Sequence, residues 1–183
     1  MNMADTYPSL TGRPVIVTGG SRGLGREMAL ALAAAGASVA VLGSRAGPAL
    51  DETVAEARRL GQGNAIALVA DVTDYAQCEA AITATLSAFG RIDALINNAG
   101  LGMRRVSETF NTAPARFWET DPVAWRQIVD INLNGAFNMA RAAVPHMVAQ
   151  GFGKLINIST SDQTMVRRGY SPYGPSKAGL EAA

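Results

Sequence analysis

The sequence predicts a three-layer α/β fold built on a doubly wound sheet of parallel strands. Short apolar runs alternate with longer segments of helical spacing five times along the chain, the pattern of successive βαβ units. Most of the runs end directly in glycine or small polar residues. Hydrophobic residues make up 48% and charged ones 17%, with a mean hydropathy of +0.10, a balance that suits a sheet covered on both faces.

The first strand is the β-branched run at residues 14–18, and it enters a glycine turn at once. A helix over residues 25–35 follows, with Gly36 where a helix end favours a left-handed residue. The second strand covers 38–42, a Gly/Pro break covers 43–48, and residues 50–60 have helical spacing with charges outward. The third strand is 65–70, and the next helix runs to about residue 88 with Thr73 or Asp74 as its N-cap. Residues 92–96 form the fourth strand. The polar segment 101–120 reads as loop plus short helix, because Pro114 forbids one continuous helix. Asp121 and Pro122 start a long helix past Ala140, with Pro145 as a point of bending. The fifth strand is 154–158, residues 159–171 are a loop, and a last helix begins near Tyr173 with Pro175 in its first turn.

At 183 residues the chain fits one domain, with residues 1–12 as a lead segment and 13–183 as the domain itself. Sixteen Lys and Arg against 15 Asp and Glu give a net charge of +1, so no global field draws the protein to nucleic acid or an anionic membrane. The single cysteine, Cys78, excludes an intrachain disulfide and a Cys-based zinc cluster, and the single histidine, His146, lacks metal-spaced companions. The N-terminus is no secretory signal and no apolar run is long enough to span a bilayer, so a cytoplasmic location is expected.

Ligands of such sheets bind outside the carboxyl ends of the strands. After the first strand stands Thr18-Gly19-Gly20-Ser21-Arg22-Gly23-Leu24-Gly25, whose glycines let backbone N–H groups approach a pyrophosphate at the start of a helix; a plain glycine turn has the same letters. No Gly-Lys-Ser/Thr follows, so this is not a nucleoside-triphosphate loop of that kind. After the second strand come Gly43, Ser44 and Arg45, where dinucleotide folds usually carry an acid for the ribose hydroxyls. Arg45 and Arg22 instead suit a 2′-phosphate and so NADP rather than NAD, unless both are ordinary solvated arginines. Asp71 and Val72 offer a carboxylate and an apolar contact to an adenine, or simply a helix start. Asn98, Ala99 and Gly100 leave room for a ribose, or serve turn chemistry alone.

Tyr173 and Lys177 are four residues apart and project from one helix face, so the lysine cation favours the tyrosinate and makes Tyr173 a candidate general acid/base. Upstream, the hydroxyls of Ser159, Thr160 and Ser161 end the fifth strand and suit either a substrate carbonyl or strand-end capping.

Together these residues resemble the short-chain dehydrogenase/reductase family from about Arg13 onward. The patterns Thr-Gly-x-x-x-Gly-x-Gly at 18–25, Asn-Asn-Ala-Gly at 97–100 and Tyr-x-x-x-Lys at 173–177 occur in the family's order. The resemblance implies a Rossmann-like αβα sandwich that binds NAD(P). It implies hydride transfer between a nicotinamide and a small-molecule carbonyl or alcohol, with Tyr173 moving the proton and Lys177 tuning the tyrosine and holding the nicotinamide ribose. Asn132, in Asp130-Ile131-Asn132-Leu133-Asn134-Gly135, matches the family asparagine that links the lysine to a proton relay through water. The family's serine stands thirteen residues before the tyrosine; Thr160 holds that position, with Ser161 one place later, and both remain candidates.

The expected function is therefore that of an NADP-dependent oxidoreductase that forms homo-oligomers when full length. A non-catalytic NADP-binding protein, or an inactive fragment, is the alternative. The resemblance also implies two further strands and a substrate loop after the last helix. The 183 residues then read as a C-terminally incomplete chain whose fifth strand is an exposed edge.

Overall fold

Five apolar runs form the strands of one parallel sheet: β1 (Pro14–Thr18), β2 (Ser38–Gly43), β3 (Ala65–Val69), β4 (Ala94–Asn97) and β5 (Lys154–Asn157). They lie in the order β3-β2-β1-β4-β5. The structure, a computed structural model, describes residues 10–61 and 64–183; the expected lead segment before residue 10 lies outside the described residues. The chain begins at the centre of the sheet, winds outward to β3, then crosses back past β1 to β4. The winding therefore reverses between β1 and β4, where a doubly wound sheet opens its ligand crevice.

The helices are α1 (Gly23–Ala34), α2 (Pro48–Leu60), α3 (Tyr75–Phe89), α4 (Pro122–Val129), α5 (Gly135–Ala149), α6 (Asp162–Met165) and α7 (Tyr173–Ala182). Period-two alternation sorts the core into two layers. Val15 and Val17 of β1 meet Ala29 and Leu30 of α1 and Val54 of α2, while Ile16 meets the layer of Ile82 from α3 and Met139 and Ala143 from α5. Ile16 and Val17 are both 0% exposed, as a central strand covered on two faces requires. At the edge, Leu155 and Ile156 of β5 are 45% and 42% exposed.

Local chemistry fixes the ends. Asp74, one of two expected caps, accepts from the amides of Ala76 and Gln77 at the start of α3, and Gly90 closes that helix in a left-handed conformation, φ 77°. The long helix expected from residue 121 is present, with helical backbone throughout residues 122–149. Asp121 caps α4, and a π-helical turn over Asp130–Asn134 joins it to α5, which runs through Pro145. The loop expected at 159–171 contains the short α6, capped by Ser161. Among the described residues no helix is long and apolar enough to cross a membrane.

One buried hydroxyl joins the two strands at the switch point. Thr18, 1% exposed at the end of β1, accepts from the amides of Asn98 and Ala99, each at 3.0 Å, and donates to the Ile96 carbonyl at 3.3 Å. Asn98 answers by donating its side-chain amide to the carbonyls of Thr18 at 2.9 Å and Gly19 at 3.3 Å. Valine at position 18 would keep the shape and leave two amides without an acceptor. Thr18→Val should lower unfolding free energy by about 2–4 kcal/mol, and Thr18→Ser by under about 1 kcal/mol. Urea unfolding at constant m-value checks this; equal midpoints for the two variants would contradict it.

Candidate active site

The glycine turn after β1 is shaped by backbone proximity. Gly19 and Gly23 hold φ 64° and 55°. A Cβ on Gly25 would lie 2.3 Å from the Gly19 oxygen and 2.5 Å from Asn98 Nδ2. The turn thus closes tightly around positions that only glycine fits. No side chain caps the start of α1, so its first N–H groups are left to an outside acceptor, and the helix dipole favours an anion there. Ser21 lies half-buried on this turn, with Arg22 and Leu24 exposed beside it. Arg22 and, past β2, Ser44 and Arg45 are exposed, and neither arginine makes an ion pair among the described residues. These residues fit a dinucleotide phosphate group.

Past β3, Asp71 Oδ1 accepts from the Thr73 amide at 2.9 Å and the Thr73 hydroxyl at 2.8 Å, the helix-start arrangement that was one of its two readings. Val72 is buried against α5, where a Cβ on Gly135 would come within 2.5 Å of it. Asn98 keeps its amide group for the β1 turn, Ala99 packs against the core, and Gly100 is exposed.

A cavity of about 370 Å³ opens at the carboxyl ends of β4 and β5. Asn98, Gly100, Ile158 and Ser159 line it from the sheet side, Tyr173 and Lys177 from α7, and Phe110 and Tyr170 from the loops. Lys177 is 4% exposed, donates to the Ile158 carbonyl at 2.6 Å, and stands 5.9 Å from the centre of the Tyr173 ring. Burial holds its pKa below the usual lysine range.

Asn132, 1% exposed on the π-helical turn, makes its hydrogen bonds to Leu101 and Ser176 rather than directly to Lys177. Its Oδ1 accepts from the Leu101 amide at 2.7 Å, and its Nδ2 donates to the Leu101 carbonyl at 3.0 Å and to the Ser176 hydroxyl at 3.1 Å. The Ser176 hydroxyl in turn donates to the Tyr173 carbonyl at 2.8 Å. The side chain thus ties the loop after β4 to the helix carrying Tyr173 and Lys177.

The expected hydroxyls are placed differently from one another. Ser161 caps α6, bonded to the Thr164 amide and hydroxyl, and Thr160 is half-buried without lining the cavity. Ser159 does line it, and its hydroxyl is buried with no partner. An unpartnered buried hydroxyl is costly, and this one borders a cavity where a water or a ligand oxygen can bond to it. Of the aromatics in the segment 101–120, Phe110 lines the cavity, whereas Phe117 and Trp118 are both 66% exposed and pack edge-to-face on each other. A second cavity beside α4, about 430 Å³ and lined by Trp125, Arg126 and Asp130, holds none of the expected site residues. Cys78 is a core thiol, pushed up to about 11 by burial, and no group of three or more metal-ligating side chains occurs among the described residues.

The sequence matches the short chain dehydrogenase family over residues 13–183. It is 38% identical over 172 residues to a 3-oxoacyl-[acyl-carrier-protein] reductase of Synechocystis sp., covering 94% of this chain and 65% of the relative. Among solved structures it resembles a metagenomic short-chain oxidoreductase in complex with NADP, with TM-score 0.83, 30% identity, and coverage of 96% of this chain and 74% of that one. It also resembles an NAD+-bound xylitol dehydrogenase, with TM-score 0.84, 27% identity, and coverage of 96% and 63%. The chain spans under two thirds of the length of the curated relatives it matches.

The lowered Lys177 pKa has a definite sign in stability. Below its folded-state value, the buried cation costs the native state; as pH rises from that value toward 10.5, the native protein sheds the proton before the unfolded chain does, and the cost is relieved. Wild-type stability should therefore gain on that of Lys177→Met through this alkaline window, measured by urea unfolding at stepped pH. A gap that stays constant or moves the other way would contradict the burial account.

Proposed function

The chain belongs to the short-chain dehydrogenase family, and on that premise we propose that the protein is an NADP-dependent oxidoreductase acting on a carbonyl/alcohol pair of a small molecule. The observation that carries the reading is one cavity shared by Tyr173, Lys177 and the unpartnered Ser159 hydroxyl, with Asn98 bridging from it to the bare glycine turn. When bound, the nicotinamide supplies or accepts the hydride. Gly19, Ser21, Arg22, Gly23, Leu24 and Gly25 would hold the pyrophosphate, Ser44, Arg45 and Arg22 the 2′-phosphate, Asp71 and Val72 the adenine, and Asn98, Ala99, Gly100 and Lys177 the nicotinamide ribose.

Tyr173 gives its phenolic proton to the carbonyl oxygen in reduction and takes the alcohol proton in oxidation. The Lys177 cation, held near the ring by the Ile158 carbonyl, balances the charge left on the phenolate. A strand-end hydroxyl holds the substrate oxygen: Ser159 has the cavity position, Thr160 the family spacing, and Ser161 the next place along. Asn132 serves this chemistry by fixing α7 against the loop after β4.

Two outcomes test the reading. Tyr173→Phe should lower kcat for NADPH-dependent carbonyl reduction by about 100-fold or more while leaving NADPH affinity nearly unchanged. Undiminished turnover across a broad carbonyl panel would contradict it, and NADPH binding without any turnover would favour the non-catalytic alternative. NADPH should bind about ten-fold or more tighter than NADH, since each charge-assisted hydrogen bond is worth roughly 1.5–3 kcal/mol. Paired Arg22→Ala and Arg45→Ala substitutions should erase the difference in a calorimetric titration, and equal wild-type affinities would sink the NADP assignment.

A further inference from the structure

The two loops over the cavity are locked into each other beside Tyr173. Tyr170 is 9% exposed, and its ring meets Tyr173 edge-on at 6.3 Å and Phe110 at 5.8 Å between centres. Its hydroxyl donates to Asn111 Oδ1 at 2.9 Å and accepts from Arg167 Nη1 at 3.1 Å, while the Arg167 guanidinium lies 4.9 Å from the ring centre. Neither Asn111 nor Arg167 lines the cavity, so the polar end of Tyr170 is engaged elsewhere and its ring is what the cavity meets. Gly169, at φ 80°, brings the loops together at a point where a Cβ would lie 2.3 Å from Pro114 Cβ. Behind Tyr170, its carbonyl accepts from the Gly174 amide at the start of α7.

The rest of that side offers few free polar side chains. Leu101 and Met103 continue the surface, the Thr164 hydroxyl is taken by Ser161, and Lys177 is the only charged side chain lining the cavity among the described residues. A substrate hydroxyl or carboxylate set against this side would give up water without a replacement partner. A flat ring would instead complete the edge-to-face cluster.

We propose that Tyr170 and Phe110 form a preformed wall that selects carbonyl compounds bearing an aromatic or alicyclic ring beside the reacting carbon, over polyhydroxylated ones. This rests on the carbonyl/alcohol reading of the same cavity. Tyr170 and Phe110 are specificity-determining residues, and the proton chemistry stays with Tyr173.

The test compares kcat/KM with NADPH for 1-phenyl-1,2-propanedione, methylglyoxal and 5-keto-D-gluconate. Wild type should favour the phenyl diketone over the keto-gluconate by about 100-fold, the scale on which hydrophobic pockets discriminate. Tyr170→Ala should lower the phenyl-diketone-to-methylglyoxal ratio by about ten-fold, chiefly through KM. Tyr170→Phe keeps the ring and should keep the ratio, and Phe117→Ala, outside the cavity, should behave as wild type. A wild-type preference for the keto-gluconate, or a Tyr170→Ala variant that preserves the ratio, overturns the proposal. If no probe turns over, saturation-transfer NMR reads the wall directly. Transfer to the phenyl ring that is lost in Tyr170→Ala upholds the wall while the oxidoreductase reading fails, and no transfer in wild type overturns the wall as well.

Discussion

Two backbone amides at the end of β4, those of Asn98 and Ala99, share a single acceptor, the buried hydroxyl of Thr18. An amide shut off from water without a partner costs more than an ordinary hydrogen bond returns, so the end of β4 must follow the end of β1. The linkage continues outward. Past Ala99 the chain reaches Leu101, whose amide and carbonyl are both held by Asn132, and Asn132 also holds Ser176 on α7. A line of side-chain hydrogen bonds therefore runs from the centre of the sheet to the helix that carries Tyr173 and Lys177. Beside it, α7 packs on the π-helical turn, α6 and α4, with Leu180 buried and Lys177 bonded to the Ile158 carbonyl.

The same economy shapes the glycine turn. Asn98, whose backbone completes the bond to Thr18, sends its side-chain amide to Gly19, and Gly25 sits so close to both that no Cβ fits between them. The glycine turn and the cavity beside Tyr173 are consequently two sides of one asparagine rather than independent features. On the far side of the cavity the contacts are aromatic, and the lock between Gly169 and Pro114 keeps them in place.

Much of this was legible in the residues. Strand and helix alternation places all five strands and the long helices, because each apolar run keeps one period over its whole length. The glycine turn, Asn98 and the Tyr173–Lys177 pair announce themselves by spacing. Features decided by a single residue were not legible. The π-helical turn at 130–134 keeps an apolar stripe compatible with plain helix, so the sequence offers no signal for it. The four-residue α6 was marked only by Ser161 followed by Asp162 and Thr164, a capping signal too short to separate from a loop. Of the three neighbouring hydroxyls after β5, that of Ser159 lines the cavity while Ser161 turns away to cap α6, a choice made by the path of the chain beyond the strand and not by the order of the residues. Tyr170 depended on two loops distant in sequence meeting, which no local pattern encodes.

The central claim is that the line through Asn132 holds α7 in place against the end of β4. Residue-resolved amide hydrogen exchange on Asn132→Ala beside the wild type tests it most directly. The account predicts faster exchange at Leu101 and along α7, from about Ser176 to Leu180, with β2 and β3 unchanged. Unchanged protection of α7, or acceleration spread evenly over the whole sheet, would contradict it.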